Sequence, residues 1–185
     1  MSDFHWVGSQ NHFIDTLSVQ QQGNIMIGRF GGNSAAGQTK NEDGCLVWQN
    51  ESKDWEFVIF LDAHHTAESA VLILQEFTKR KGSIKSLLSG SPKESFKNIE
   101  ETILKIFQDR EFLDSCRKVN GSTSCLIVLR KDKYIWWFSV GDCILYLFHP
   151  ELTSLGQYQV NQRHFFEWIG QVYLMTTPKR YKKNL

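Results

Sequence analysis

Glu42, Asp43, Asp62 and His64 are the side chains whose types and spacing could do chemistry. Asp62 closes an apolar run, residues 57–61 (FVIFL), and is followed by Ala63, His64, His65 and an amphipathic pattern. A carboxylate at the end of a buried strand sits at the rim of a core, where low-dielectric surroundings strengthen its attraction for a cation. Glu42 and Asp43 precede a second apolar run, residues 45–48 (CLVW), and the polar residues 50–54 lie between the two runs. This is the pattern of a β-hairpin. With a turn near Ser52, pairing sets position 42 opposite 62 and 43 opposite 61, which brings three acids to one end. Carboxylates about 5 Å apart between Cβ atoms repel unless a cation separates them or one is protonated. The set therefore points to a hard-metal site for Mg²⁺ or Mn²⁺ built from oxygen ligands. An ordinary turn at 41–43, with Asp62 merely opening a helix, accounts for the same spacing. Next to a metal site His64 has the chemistry to give a proton to a leaving group; on a bare surface it is only a solvated imidazole.

The elements that must position these residues are read from periodicity. Residues 1–23 show no clear period, although 13–19 (FIDTLSV) could form a first strand, and 24–30 (NIMIGRF) fits a half-buried strand. The loop 31–40 has P-loop spacing but carries Gln38 where a lysine belongs and leads into a strand, so a nucleotide site is rejected. After the hairpin, Ala67, Ala70, Val71, Leu74 and Phe77 mark one face of a helix running to about Lys81, with Thr66 as its cap. Residues 82–90 read as a polar connection. Ser91, Pro92 and Glu94 form a capping box with proline at the first helical position, opening a helix that should end between Phe112 and Lys118. From Ser122 the period shortens into three apolar runs separated by turns, a meander whose strands read as buried on both faces. Asp142 lies in the second of these turns, where aspartate is common for local hydrogen bonding.

With 185 residues, 41% hydrophobic and 13% aromatic, the chain fits one globular domain. Twenty-one basic against twenty acidic residues give a net charge of +1, so charge makes no case for nucleic acid or membrane binding. Cys45, Cys116, Cys125 and Cys143 form no C-x-x-C pair and suit reduced thiols in a cytoplasmic protein. No segment has the length of a membrane span. Beyond Pro150, Phe165, Phe166, Trp168 and Ile169 are apolar, and the basic residues of 178–185 read as a solvated tail.

Four segments, GQTKNED over 37–43, FLDAH over 60–64, GSTS over 121–124 and VGD over 140–142, occur in the order and spacing of the metal-dependent protein phosphatases, type 2C. Across roughly residues 24–149 the chain resembles that family. The resemblance implies a single phosphatase-like domain with an α+β fold, a four-layer α-β-β-α sandwich of mainly antiparallel sheets, incomplete at its C-terminal end. It implies two Mn²⁺ or Mg²⁺ ions and hydrolysis of phosphoserine or phosphothreonine in a protein substrate by in-line attack of a metal-bridging water. Asp62 then looks like the bridging aspartate, the Ala63 carbonyl like a metal ligand, and Glu42 and Asp43 like holders of metal-bound water. His64 would be the general acid, and Asp142 resembles the aspartate of an additional metal position.

The chain departs from the pattern in four places, one of them His65 and Thr66, which stand where the family usually has glycines or small residues. Ala63 stands where the family has glycine. Gln38 stands where the family clamps phosphate with arginine, so Gln38 and Lys40 are the phosphate-binding candidates, with Arg29 as a further cation that could compensate. The later acidic motifs, an Asp-Gly and an Asp-Asn pair, have no counterpart after Pro150. The expectation is a phosphatase that is truncated or weakly active; a non-catalytic phosphatase-like module that binds a partner protein is the alternative.

Overall fold

The computed structural model describes residues 2–165 and 167–170. Its centre is a five-stranded antiparallel sheet built from β1 (Ser2–Val7), β4 (Gly44–Asn50), β5 (Trp55–His64), β6 (Ser122–Lys131) and β7 (Tyr134–Val140), in the order β1-β4-β5-β6-β7. A separate two-stranded sheet pairs β2 (Ser18–Gln22) with β3 (Ile25–Arg29). Between β5 and β6 come α1 (Glu68–Lys79), α2 (Lys81–Leu88), α3 (Pro92–Phe107) and α4 (Arg110–Cys116), and α5 (Pro150–Ser154) follows β7. The protein is thus α+β, with one large antiparallel sheet, a hairpin and five helices among the described residues.

Strand alternation divides the core in two. Trp55, Phe57, Ile59, Leu61 and Ala63 of β5 point to one face and pack with Ile73 and Phe77 of α1, Ile84 of α2 and Ile99 and Ile103 of α3. The aromatic spine Trp48–Phe57–Phe77–Phe107 runs through this layer, with ring centroids 5.6, 6.2 and 5.8 Å apart. On the other face Trp6, Cys45, Val47 and Ile27 make a smaller cluster under the β2–β3 hairpin. That hairpin covers only part of the face, so Phe60 is exposed.

Several boundaries differ from the sequence reading. Residues 2–7, which show no clear period, form β1 on the edge of the sheet. The expected strand over 13–19 begins only at Ser18, because Phe13 and Asp15 take left-handed backbone angles (φ 50 and 57) incompatible with a strand. Residues 81–88 are a helix rather than a connection, since Ile84 and Leu88, one turn apart, are both fully buried. The expected helix from Ser91 has the full capping box, but it ends at Phe107, and Asp109 caps a separate α4 by accepting from the Phe112 N–H at 3.0 Å. Helix α1 starts at Glu68 with Ala67, not the expected Thr66, in the cap position, although the Glu68 N–H donates to Thr66 Oγ1 at 3.3 Å. The third run of the meander, 143–149, is not a strand; only an isolated bridge joins Tyr146 to Gln159. Phe166 and the basic stretch 178–185 lie outside the described residues. No helix among the described residues is long and apolar enough to cross a membrane.

Candidate functional site

The β4–β5 ladder pairs Gly44 with Leu61 and Asn50 with Trp55. One step beyond its end Asp43 stands opposite Asp62, so the expected pairing of 42 with 62 is wrong by one residue. The cause is the connection: residues 51–53 form a 3₁₀ turn capped by Asn50, and Asp54 closes it in a left-handed conformation (φ 49). Because side chains alternate, that single step puts Asp43 rather than Glu42 on the same face as Asp62. On the other side Asp62 pairs with Ser124 of β6. Asp43, Asp62 and Ser124 therefore form a cross-strand row at one end of the sheet, on the face turned away from α1–α4.

The row is held by its neighbours. Asn41, buried, accepts the Asp43 N–H on its side-chain oxygen at 3.0 Å, and its own N–H donates to His12 Nδ1 at 2.9 Å. Gly8 N–H donates to the Asp43 carbonyl at 2.7 Å, extending the β1–β4 ladder one step. The Asp43 carboxylate also accepts from the Ala63 N–H. Thr123 Oγ1 donates to the Asp62 carbonyl at 3.0 Å, and Ser124 Oγ donates to Asp142 Oδ1 at 2.9 Å. Asp142 reaches Ser124 because Gly141 adopts φ +91; a Cβ there would lie 2.2 Å from Ser124 Oγ.

Electrostatics couples these acids. Burial, and then the charge of Asp62, lifts the Asp43 carboxyl from 3.8 to about 6. Asp62 is raised as well, first by burial; His64 and Arg163 draw it down, while Asp142 and Glu42 push it up. The thiol of Cys143 is pushed up to about 12 by burial and by Asp62, Asp142 and Asp43. Four carboxylates thus share one field.

Among the described residues three basic side chains border it. Lys40 pairs with the Glu42 carboxylate and donates to the His65 carbonyl, tying the loop before β4 to the end of β5. His64 Nδ1 lies 3.8 Å from Asp62 Oδ1. Arg163 Nη2 lies 3.4 Å from Asp142 Oδ2.

The structure therefore brings Glu42, Asp43, Asp62, His64, Asp142 and Lys40 to one end of the sheet. Ala63 joins them through its backbone, its side chain lying in the helix-side core. Gln38 is exposed and folds back on its own loop, where a Cβ on Gly32 would come within 2.7 Å of Gln38 Cγ; no contact joins it to the acids among the described residues. Arg29 does not serve there either. Its guanidinium lies over Phe4, Trp6 and Phe13 at 5.3, 5.6 and 4.7 Å and bonds Ser18 and Gln20. Ser124, Thr123 and Arg163 are the residues the sequence reading missed: the first two lie inside the GSTS segment, but nothing in the spacing of Arg163 signals its neighbours.

Half-buried, mutually repelling carboxylate oxygens are the donors a hard divalent cation takes. The fit is best at Asp43 and Asp62, since Glu42 is matched by Lys40 and Asp142 by Arg163. Among the described residues, however, no three His, Cys, Asp or Glu side chains converge closely enough to hold a metal ion together. The acids perturb one another's ionisation without closing into a ligand shell. The site is an open rim, where the side chains of Asp62 and His64 keep 39% and 51% of their exposure; one shallow cleft, toward the opposite end of β5, is lined by Asn24, Glu56, Val58 and Arg130, another by residues 10–14 and Thr16, and neither includes an acid of the row. No protein-family model matches the chain, and no curated protein matches it.

Proposed function

We propose that the chain is a metal-dependent phosphomonoesterase domain of the protein serine/threonine phosphatase kind, with its reaction centre at Asp43, Asp62 and His64. The supporting observation is the register that sets Asp43 opposite Asp62, with both carboxyls raised first by burial, Asp43 further by the charge of Asp62 and Asp62 by Asp142 and Glu42. That arrangement is costly for a chain alone and is relieved by a divalent cation. Asp43 and Asp62 would hold Mn²⁺ or Mg²⁺ directly, with Glu42 and Asp142 at the periphery; the ion supplies charge compensation and Lewis-acid activation of water. His64, whose Nδ1 lies 3.8 Å from Asp62 Oδ1, is the group placed to give the departing alkoxide a proton. An open rim suits phosphoserine or phosphothreonine presented on a protein surface better than a free metabolite, which is normally enclosed. In this reading the β2–β3 sheet is the start of the second β-layer of an α-β-β-α sandwich. The four free thiols suit a cytoplasmic setting.

A second reading has its own support. Without a convergent ligand shell, with Gln38 away from the acids and with Lys40 already neutralising Glu42, the same surface would bind a partner protein without hydrolysing it. Hydrolysis of p-nitrophenyl phosphate and of a phosphothreonine peptide, followed with and without Mn²⁺ in the wild type and in Asp62→Ala, separates the two. Mn²⁺-dependent turnover that disappears in the variant supports the enzyme. Equal absence of turnover in both at saturating Mn²⁺ supports the binding module.

A further inference from the structure

We propose that Arg163, delivered by the segment after α5, is the residue that holds the phosphate group of a phosphomonoester at the Asp43–Asp62 rim. The inference rests on the phosphatase reading and names a residue which that reading does not. A phosphomonoester dianion approaching four carboxylates needs cationic protein groups beside any metal ion, and a guanidinium offers the planar fork that matches two phosphate oxygens. Of the three basic side chains at the rim among the described residues, Lys40 is engaged between the Glu42 carboxylate and the His65 carbonyl. His64 is assigned to the leaving group in the phosphatase reading. Arg163 remains.

Its attachment leaves donors to spare. Nε donates to the Asp142 carbonyl at 3.2 Å, and Nη2 reaches Asp142 Oδ2 at 3.4 Å, long for a charge-assisted pair. Nη1 makes no hydrogen bond among the described residues. The guanidinium lies over the Phe165 ring, 4.5 Å from its centroid, and the side chain keeps 42% of its exposure. One edge is anchored, one face is stacked, and among the described residues the other edge has no partner, leaving it for an incoming anion.

The segment that carries Arg163 is fastened to the strands that carry the row. His164 N–H donates to the Gly141 carbonyl at 2.9 Å, next to Asp142. Ile169 N–H donates to the Thr123 carbonyl at 3.0 Å, and the Thr123 hydroxyl in turn bonds the Asp62 carbonyl. Asp62, Ser124, Asp142 and Arg163 thus follow one another across the end of the sheet.

The test uses the full chain with Mn²⁺, inorganic phosphate as competitive inhibitor and p-nitrophenyl phosphate as substrate. Arg163→Ala should raise both the KM and the phosphate inhibition constant about 10–100-fold, the loss of a charge-assisted fork, with kcat changed only a few-fold. Its Mn²⁺ affinity and melting temperature should not fall, and Arg163→Lys should recover only part of the phosphate affinity, since an ammonium cannot fork. A phosphate inhibition constant within about twofold of wild type overturns the inference, as does a fall in kcat with KM intact. Mn²⁺ titration is read separately: a chain that binds no Mn²⁺ overturns the metal reading and this inference together. If the chain binds Mn²⁺ but turns over no substrate, the catalytic reading fails alone. Calorimetric phosphate binding to the Mn²⁺-loaded protein, weakened by Arg163→Ala, then still supports this role for Arg163, and unweakened binding overturns it.

Discussion

Replacing Asp43 by asparagine should stabilise the metal-free protein at neutral pH, the reverse of what removing a buried hydrogen-bonded group normally does. The Asp43 carboxyl is raised from 3.8 to about 6 by burial first and by Asp62 second. A raised acid favours the folded state while protonated. Its contribution is fully present below pH 3.8 and is lost as the pH climbs through about 6. At about 1.36 kcal/mol per pKa unit the shift corresponds to at most ~3 kcal/mol. Water and salt reach this rim position, so about 1–3 kcal/mol is the expected cost of ionising it at pH 7. The amide of Asp43→Asn keeps an oxygen for the Ala63 N–H and never ionises. The variant should therefore melt about 2–8 °C higher than wild type at pH 7 without metal, and within about 1 °C of it at pH 4. Asp3 and Glu76, lowered by Lys81, Lys85, Lys79 and Arg80, destabilise both proteins in acid, so the difference between the two curves is the quantity to read. The assay is thermal unfolding followed by circular dichroism from pH 4 to 8 with chelator present. A variant that is equal to or less stable than wild type at pH 7, with no pH dependence in the difference, would refute the repulsion argument.

Other perturbations test the scaffold and the rim. Gly141→Ala should cost about 1–3 kcal/mol, because a Cβ at φ +91 lies 2.2 Å from Ser124 Oγ; it should also impair turnover, measured with p-nitrophenyl phosphate. Phe77→Ala empties the centre of the aromatic spine and should lower the unfolding free energy in urea by about 3–5 kcal/mol. Ser91→Ala removes the α3 cap and should lower it by about 0.5–2 kcal/mol without affecting Mn²⁺ binding.

What the sequence made legible was local. The α3 start was readable because Ser91, Pro92 and Glu94 act within one turn, and the β4–β5 hairpin because two apolar runs flank a polar stretch. The register was not, since it depends on Asp54 adopting a left-handed angle that no nearby glycine announces. Helix α2 was hidden because Gly82, Ser83 and Ser86 dilute its pattern, leaving only Ile84 and Leu88 to mark the buried side. The break between α3 and α4 was masked by Phe107 and Phe112, which continue one apolar stripe across the Asp109 cap. The acids of the site were visible as residues near strand ends. The Asp142–Ser124 bond and the arrival of Arg163 were not, because they join positions 18 and 21 residues apart through tertiary packing.

The central claim is that Asp43 and Asp62 are tolerated side by side because a divalent cation binds between them. Calorimetric titration of Mn²⁺ into the metal-free wild-type chain and into Asp62→Asn at pH 7 tests it most directly. Saturable binding by the wild type that is lost in the variant is the expected result. Absence of binding in a folded wild-type protein, or equal binding in both, would contradict it.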